Sequence, residues 1–173
     1  MITIYVIPLT HREAWVKIGS MNTSTNFASF KLRPARATDA PTIRHIINLV
    51  QINPTGLSWK RFIVATDEGD SIIGCGQVKA HQDGSLELAS IAVLPEWRGK
   101  GVARQIIEQL LAQYPGRLYL TCRSSLEPLY QKFGFQAIEY AEMPPYFQRL
   151  SRLVALYTRL SHQPDHLSVM RRN

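Results

Sequence analysis

Between Ser90 and Tyr114 the chain reads SIAVLPEWRGKGVARQIIEQLLAQY: an apolar run ends at Pro95, a basic glycine-rich loop follows, and an amphipathic helix starts at once. On that helix Val102, Ala103, Ile106, Ile107, Leu110 and Leu111 form one apolar stripe, which needs an apolar surface to lie against. A strand that turns so tightly into a one-sided helix builds layers, helix upon sheet.

The flanking sequence supplies the rest of the sheet. Phe30 and Leu32 suit a short strand, Thr38 or Asp39 can cap a helix with Pro41 in its first turn, and Ile43, Ile46, Ile47 and Val50 recur at helical spacing. INPTG reads as a turn, and RFIVAT and SIIGCGQVKAH read as two strands of a hairpin joined by DEGD. SLELASIAVL is a further strand, and RLYLTCR follows the helix as another. In SSLEPLYQKFGF, Ser124 and Glu127 have capping-box spacing and Gly134 can end the helix. FQAIEY reads as a strand, MPPYFQRLSR as a loop with a helical turn, and RLVALYTRL as a last strand. Strands and helices interspersed in this way define an α/β or α+β layered fold around one mixed sheet.

The loop RGKG places backbone N–H groups at a helix N-terminus, where unsatisfied donors and the positive end of the helix dipole favour an anion such as phosphate. Gly99 and Gly101 let that backbone approach closely, and Arg98 and Lys100 add charge. Two familiar phosphate loops are excluded. A Walker A loop needs Ser or Thr after its Lys, but Gly101 follows Lys100; a dinucleotide loop needs a third Gly or Ala where Arg104 stands. The pair Gly74 and Gly76 lies inside a strand and reads as close packing or a bulge.

A third pattern fits. Arg98-Gly99-Lys100-Gly101-Val102-Ala103 resembles the pyrophosphate loop of the GNAT superfamily of acyl-CoA N-acetyltransferases, Arg/Gln-x-x-Gly-x-Gly/Ala. IAVLPEWRGKGVA, the later LYQKFGF and the earlier LRPARATDAPTIRHII resemble the same family, so the likeness extends from about Lys31 to Leu160. The resemblance implies a mixed, mostly antiparallel sheet of about six to seven strands flanked by about four helices. It implies acetyl-CoA as co-substrate, its pyrophosphate held by the amides of Gly99, Gly101, Val102 and Ala103 with help from Arg98 and Lys100. It further implies that the strand around Ile91, Ala92 and Val93 is splayed from its neighbour and meets the acetyl and pantetheine arm.

Acetyl transfer to an amine requires a proton acceptor for the amine, donors for the oxyanion and a proton for the departing thiolate. Tyr130 sits where the family often has the tyrosine that protonates that thiolate, and as a bare side chain it also reads as a core aromatic. Ser124 takes the position of an Asn often found six residues earlier, which puts a contact to the pantetheine arm in question. Glu87 lies where many members carry the carboxylate that takes the amine proton, while others use a water chain. Strand alternation turns Glu87 away from the face of Leu86 and Leu88, toward either an acceptor cleft or solvent. Trp59, Glu142, Tyr146 and Phe147, in the segments around NLVQINPTGLSWKRF and YAEMPPYFQRL, are candidates for lining an acceptor pocket or for plain packing.

Composition narrows the alternatives. The 173 residues suit one domain, and 45% hydrophobic with 19% charged residues is the balance of an ordinary globular protein. No apolar run reaches the roughly 18 to 20 residues that span a bilayer, and MITIYVIPL lacks the flanks of a signal peptide, so the expected place is the cytoplasm, with no membrane partner. Cys75 and Cys122 read as buried free thiols, and His11, His45, His81, His162 and His166 show no metal-ligand spacing, so no metal is expected.

The net charge of +7 attracts anions without choosing among nucleic acid, membrane and phosphate-bearing co-substrates. Residues 1–30 read as an N-terminal extension with Met21 as an alternative start, residues 31–160 as the catalytic domain and residues 161–173 as a polar, frayed tail. The leading functional expectation is acetylation of a primary amine on a small molecule or peptide. Alternatives are a macromolecular acceptor, such as a protein N-terminus or aminoacyl-tRNA, and a non-catalytic acyl-CoA-binding regulatory module; nucleic acid is not the favoured partner. The resemblance also allows a homodimer.

Overall fold

The computed structural model describes residues 29–158 and 166–173, so the expectations for residues 1–28, including an alternative start at Met21, lie outside it. In chain order its elements are β1 (Lys31–Pro34), α1 (Ala40–Leu49), β2 (Phe62–Thr66), β3 (Ile72–Ala80), β4 (Leu86–Val93), α2 (Val102–Gln113), β5 (Leu118–Arg123), α3 (Glu127–Gln131), β6 (Gln136–Ala137), α4 (Pro145–Thr158) and β7 (Leu167–Arg172). One seven-stranded sheet runs β1-β2-β3-β4-β5-β7-β6. Neighbours pair antiparallel except β4 with β5, which is parallel and uses α2 as its crossover. The mixed, mostly antiparallel sheet with four α-helices agrees with the expected fold class.

The period of two along the strands sorts the core into layers. Leu88, Leu118 and Leu120 join Val102, Ile106, Ile107 and Leu110 of α2 on one face. Val64, Cys75 and Ala92 meet Ile43, Ile46 and Ile47 of α1 on the other. The apolar stripe of α2 is therefore what holds it to the sheet, each buried aliphatic side chain contributing about 1.5–3 kcal/mol. Gly76 permits the contact: a Cβ there would lie 2.6 Å from Ile91 Cδ1 and 2.7 Å from Ile106 Cγ2. The close-packing expectation for this glycine holds.

At the other end of the sheet Asp39 occupies the cap position of α1, but its carboxylate faces backward. It accepts the Arg36 N–H at 2.6 Å and two Arg33 guanidinium bonds at 2.6 and 3.2 Å. The Arg33 guanidinium, opposed by burial, holds the Asp39 carboxyl below the ordinary carboxylate range. Both cysteines are buried free thiols, and burial pushes Cys75 up to about 12.

Two expectations near the C-terminus are corrected. The segment from Pro145 to Thr158, read as a loop with a helical turn and then the start of a strand, is helix α4 throughout. Phe147 is fully buried while Leu150, Ser151 and Val154 are half-buried behind it, and that spacing lets one helical face rest on Tyr119 and Val169. The expected ending of that strand at Leu160 falls outside the described residues. The tail, read as frayed, carries β7, which pairs along its whole length with β5, from Leu118 opposite Arg172 to Arg123 opposite Leu167. Ser168, Val169 and Met170 are buried because sheet neighbours and helices cover them on all sides.

Candidate functional site

Two backbone irregularities make the site. The first lies in β4. Gln77 of β3 faces Ala89 and Cys75 faces Ala92, so Ser90 and Ile91 together oppose Gly76, a bulge with Ser90 at φ +58°. A non-glycine residue in the left-handed region needs support from its surroundings. The fully buried Gln77 donates from Nε2 to Ser90 Oγ at 3.0 Å and accepts from Arg61 Nε at 3.2 Å. On its other side β4 pairs with β5 at Glu87 and Tyr119, and no further register pair follows among the described residues. The β5-facing backbone of β4 beyond that point, through Ile91, Ala92 and Val93, therefore has no ladder partner. An extended guest can hydrogen-bond in such a gap.

The second irregularity is the loop between Leu94 and α2. A 3-10 turn at Pro95–Trp97 delivers the chain to Arg98, and Gly99 and Gly101 follow at φ +74° and +82°. These values favour glycine, and they aim the loop so that Gly101 caps α2 with Val102, Ala103 and Arg104 in its first turn. A Cβ on Gly99 or Gly101 would meet nothing within 4 Å, so the space above the helix N-terminus is open. Arg98 and Lys100 are exposed beside it, with Lys100 Nζ 4.7 Å from the Trp97 ring centroid. The loop can thus hold an anion by backbone donors and dipole with two cations at its rim.

Glu87 points away from the α2 face and does not reach bulk solvent. It is 5% exposed; Oε2 lies 2.9 Å from His81 Nε2 and Oε1 accepts the Thr121 hydroxyl at 3.1 Å. The His81 ring stacks on Tyr146 at 3.5 Å between centroids and meets Phe147 edge-on at 5.7 Å. Asp83, in the turn after β3, accepts the Tyr146 N–H at 2.7 Å and so ties that turn to the start of α4. A cavity of about 550 Å³ opens beside this group, lined by Asn53, Thr55, His81, Asp83, Tyr146 and Arg149 among others. Of the residues expected around an acceptor, Tyr146 lines it; Phe147 is fully buried behind the stack, and Trp59 and Glu142 do not line it.

Tyr130 lies on the α2 side of the sheet, half-buried, edge-on to Phe135 at 6.3 Å between centroids. Burial, with a smaller effect from Cys122, pushes its phenol up to about 12, so it stays protonated as a donor throughout the neutral range. Ser124 opens the 3-10 turn that leads into α3; its hydroxyl accepts the His166 N–H at 3.4 Å and its own N–H donates to the His166 carbonyl at 2.9 Å. The caps of this turn and of α3 are Arg123 and Leu126, so the capping box expected at Ser124 is not how the helix starts. Among the described residues no group of three His, Cys, Asp or Glu side chains could hold a metal ion.

His81, Thr121 and Arg149 were not singled out by the sequence. His81 was legible in principle: the hairpin pairs Ala80 with Leu86 and Lys79 with Glu87, which sets His81 diagonally from Glu87 across a tight turn. Thr121 and Arg149 depend on the β4–β5 register and on α4, which local patterns do not carry.

Residues 58–137 match a family model described as Acetyltransferase (GNAT) domain. Solved structures share the fold. Rv2747 from Mycobacterium tuberculosis in complex with CoA is similar at 21% identity and TM-score 0.63, over 82% of this chain and 98% of that one. N-acetylglutamate synthase from Neisseria gonorrhoeae, complexed with coenzyme A and N-acetyl-glutamate, is similar at 18% identity and TM-score 0.62, over 84% of this chain but only 35% of that one. The ribosomal-protein-S18-alanine N-acetyltransferase from Escherichia coli is similar at 19% identity and TM-score 0.56, over 83% and 93% of the two chains. No curated protein matches at the level of sequence.

Proposed function

The chain carries a GNAT acetyltransferase domain, and from that premise we propose that it transfers an acetyl group from acetyl-CoA directly to a primary amine of a small molecule or peptide. The observation that carries the reading is the pairing of an open anion cradle with an unpaired strand edge one turn away. Gly99 and Gly101 leave room above the N-terminus of α2, and β4 leaves its β5-facing backbone free beyond Glu87. In this reading the amides of Gly99, Gly101, Val102 and Ala103 hold the pyrophosphate, and Arg98 and Lys100 screen its charge. The backbone of Ile91, Ala92 and Val93 lies along the pantetheine arm and polarises the thioester carbonyl. Ser124 stands near the same arm, at the end of β5.

The chemistry then divides between the two faces of the sheet. Tyr130, kept protonated by burial, supplies a proton to the departing thiolate. The amine enters from the cavity side, and its proton leaves on the side of the Glu87 carboxylate, directly or through a group bonded to it. No metal is required by this scheme, and the cytoplasm is the place proposed for it. A homodimer is compatible with the reading.

A macromolecular acceptor is the second reading, favoured by the net charge of +7 and by the presence of a ribosomal-protein N-acetyltransferase among similar structures. A panel of alkylamines, amino acids, peptides with free N-termini and aminoacyl-tRNA, each offered with acetyl-CoA and analysed for the acetylated product by mass spectrometry, separates the two. Product from the small amines and peptides is expected. Product from aminoacyl-tRNA alone would transfer the activity to the second reading, and acetyl-CoA binding without product from any acceptor would leave only a binding module. Tyr130→Phe is expected to lower kcat with little change in acetyl-CoA affinity.

A further inference from the structure

We propose that His81 is the group that takes the proton from the acceptor amine, with Glu87 as the positioning residue behind it. The proposal rests on the acetyl-transfer reading above and deepens it at the acceptor side.

Access decides between the two residues. His81 lines the cavity, whereas Glu87 does not and is 5% exposed. Both carboxylate oxygens of Glu87 already face protein donors, Oε1 the Thr121 hydroxyl at 3.1 Å and Oε2 the His81 Nε2 at 2.9 Å. A carboxylate only accepts, so His81 Nε2 carries the hydrogen of the neutral ring and Nδ1 keeps a bare lone pair. Among the described residues Nδ1 has no hydrogen-bond partner. The ring cannot swing away from its orienting carboxylate, because Tyr146 stacks on its face and Phe147 meets it edge-on. A ring that lines a cavity, is oriented through Nε2 by a buried carboxylate and leaves its second nitrogen unbonded among the described residues has the features that general-base catalysis needs.

An ammonium that becomes an amide loses two protons: His81 Nδ1 takes one from the amine, and the resulting imidazolium is held by Glu87 until the proton leaves through the cavity to solvent. The amine lone pair forms the C–N bond at the thioester carbonyl, and the C–S bond breaks with its electron pair on sulfur. The thiolate takes a proton from Tyr130, which the second amine proton replaces by way of solvent. The charged groups around His81 are Glu87 on β4, Asp83 in the turn, Lys79 of β3 opposite Glu87, and Arg149 on α4.

The test compares His81→Gln with wild type on two acceptors, an alkylamine and hydroxylamine, which is already unprotonated at neutral pH and needs no base. The expected result is a kcat lower by about 10²-fold or more with the alkylamine, a much smaller loss with hydroxylamine, and an unchanged KM for acetyl-CoA. Equal losses with both acceptors, or no loss with either, would overturn the proposal while leaving acetyl transfer intact. No transfer by the wild type to any amine, with acetyl-CoA bound, would overturn the parent reading and this one together. Should His81→Gln fail to bind acetyl-CoA, ¹⁵N spectra of the wild-type ring decide: a neutral ring protonated at Nε2 supports the assignment, and one protonated at Nδ1 overturns it.

Discussion

The Thr121 hydroxyl on β5 donates to Glu87 Oε1 on β4 at 3.1 Å, tying together two parallel strands at the point where their ladder stops. The bond fixes a buried carboxylate and closes the base of the gap at once. Replacing Thr121 with Val keeps the shape but leaves Oε1 short of a donor, at a cost of about 1–3 kcal/mol. Thr121→Val is expected to lower the urea midpoint and to reduce kcat several-fold, since Glu87 then holds its neighbour less firmly. Unchanged stability and unchanged kcat together would remove this bond from the account.

Gly76→Ala tests the close approach of α2 to β3. The new methyl would lie 2.6 Å from Ile91 Cδ1 and 2.7 Å from Ile106 Cγ2, so helix or bulge must move. Overpacking of this kind costs about 1–3 kcal/mol. Chemical denaturation should show that loss, whereas a neutral substitution would mean that the helix sits farther from the sheet than described.

Gly101→Ala tests the cradle without touching the core. Its φ of +82° disfavours an L-residue by about 1–2 kcal/mol, while the added methyl meets no protein atom. The affinity for acetyl-CoA, measured by calorimetry, is expected to fall about tenfold or more. Affinity for S-acetyl-pantetheine, which lacks the diphosphate, is expected to hold. Equal weakening of both ligands would argue against diphosphate at this loop.

The ion pair at the start of α1 gives stability a defined pH dependence. Asp39 titrates below its ordinary value of 3.8 in the folded chain because of Arg33, so the unfolded chain binds the proton more readily. Its contribution is therefore full above about pH 3.8 and is lost as pH falls through the lower folded-state value. Asp39→Asn should lower stability at neutral pH and flatten the loss between there and strong acid. Parallel stability curves for the two proteins would contradict this.

What the sequence shows of this molecule is what depends on near neighbours. The loop at Arg98–Ala103 is legible because glycine spacing, cation and helix stripe lie within a few residues, and the β2–β3 hairpin because its turn sits between two apolar runs. Helix α4 is missed because Val154, Tyr157 and Thr158 carry strand propensity, while the decisive signal is the burial of Phe147 against Tyr119 and Val169 from two strands. Strand β7 is missed because its partner β5 begins about fifty residues earlier and nothing local in LSVMRR announces it. Glu87 is placed on the correct side of β4 by alternation, yet its burial comes from Thr121 and His81, which only the assembled sheet brings to it.

The cradle at residues 99–103 and the gap beyond Glu87 are proposed to serve acetyl transfer to an amine. The most direct measurement is the release of free CoA thiol from acetyl-CoA by the wild-type protein, followed with and without an amine acceptor, alongside the yield of acetylated amine. Amine-dependent release is expected, with one acetylated product formed per thiol. Tight binding of acetyl-CoA with no amine-dependent release would contradict it.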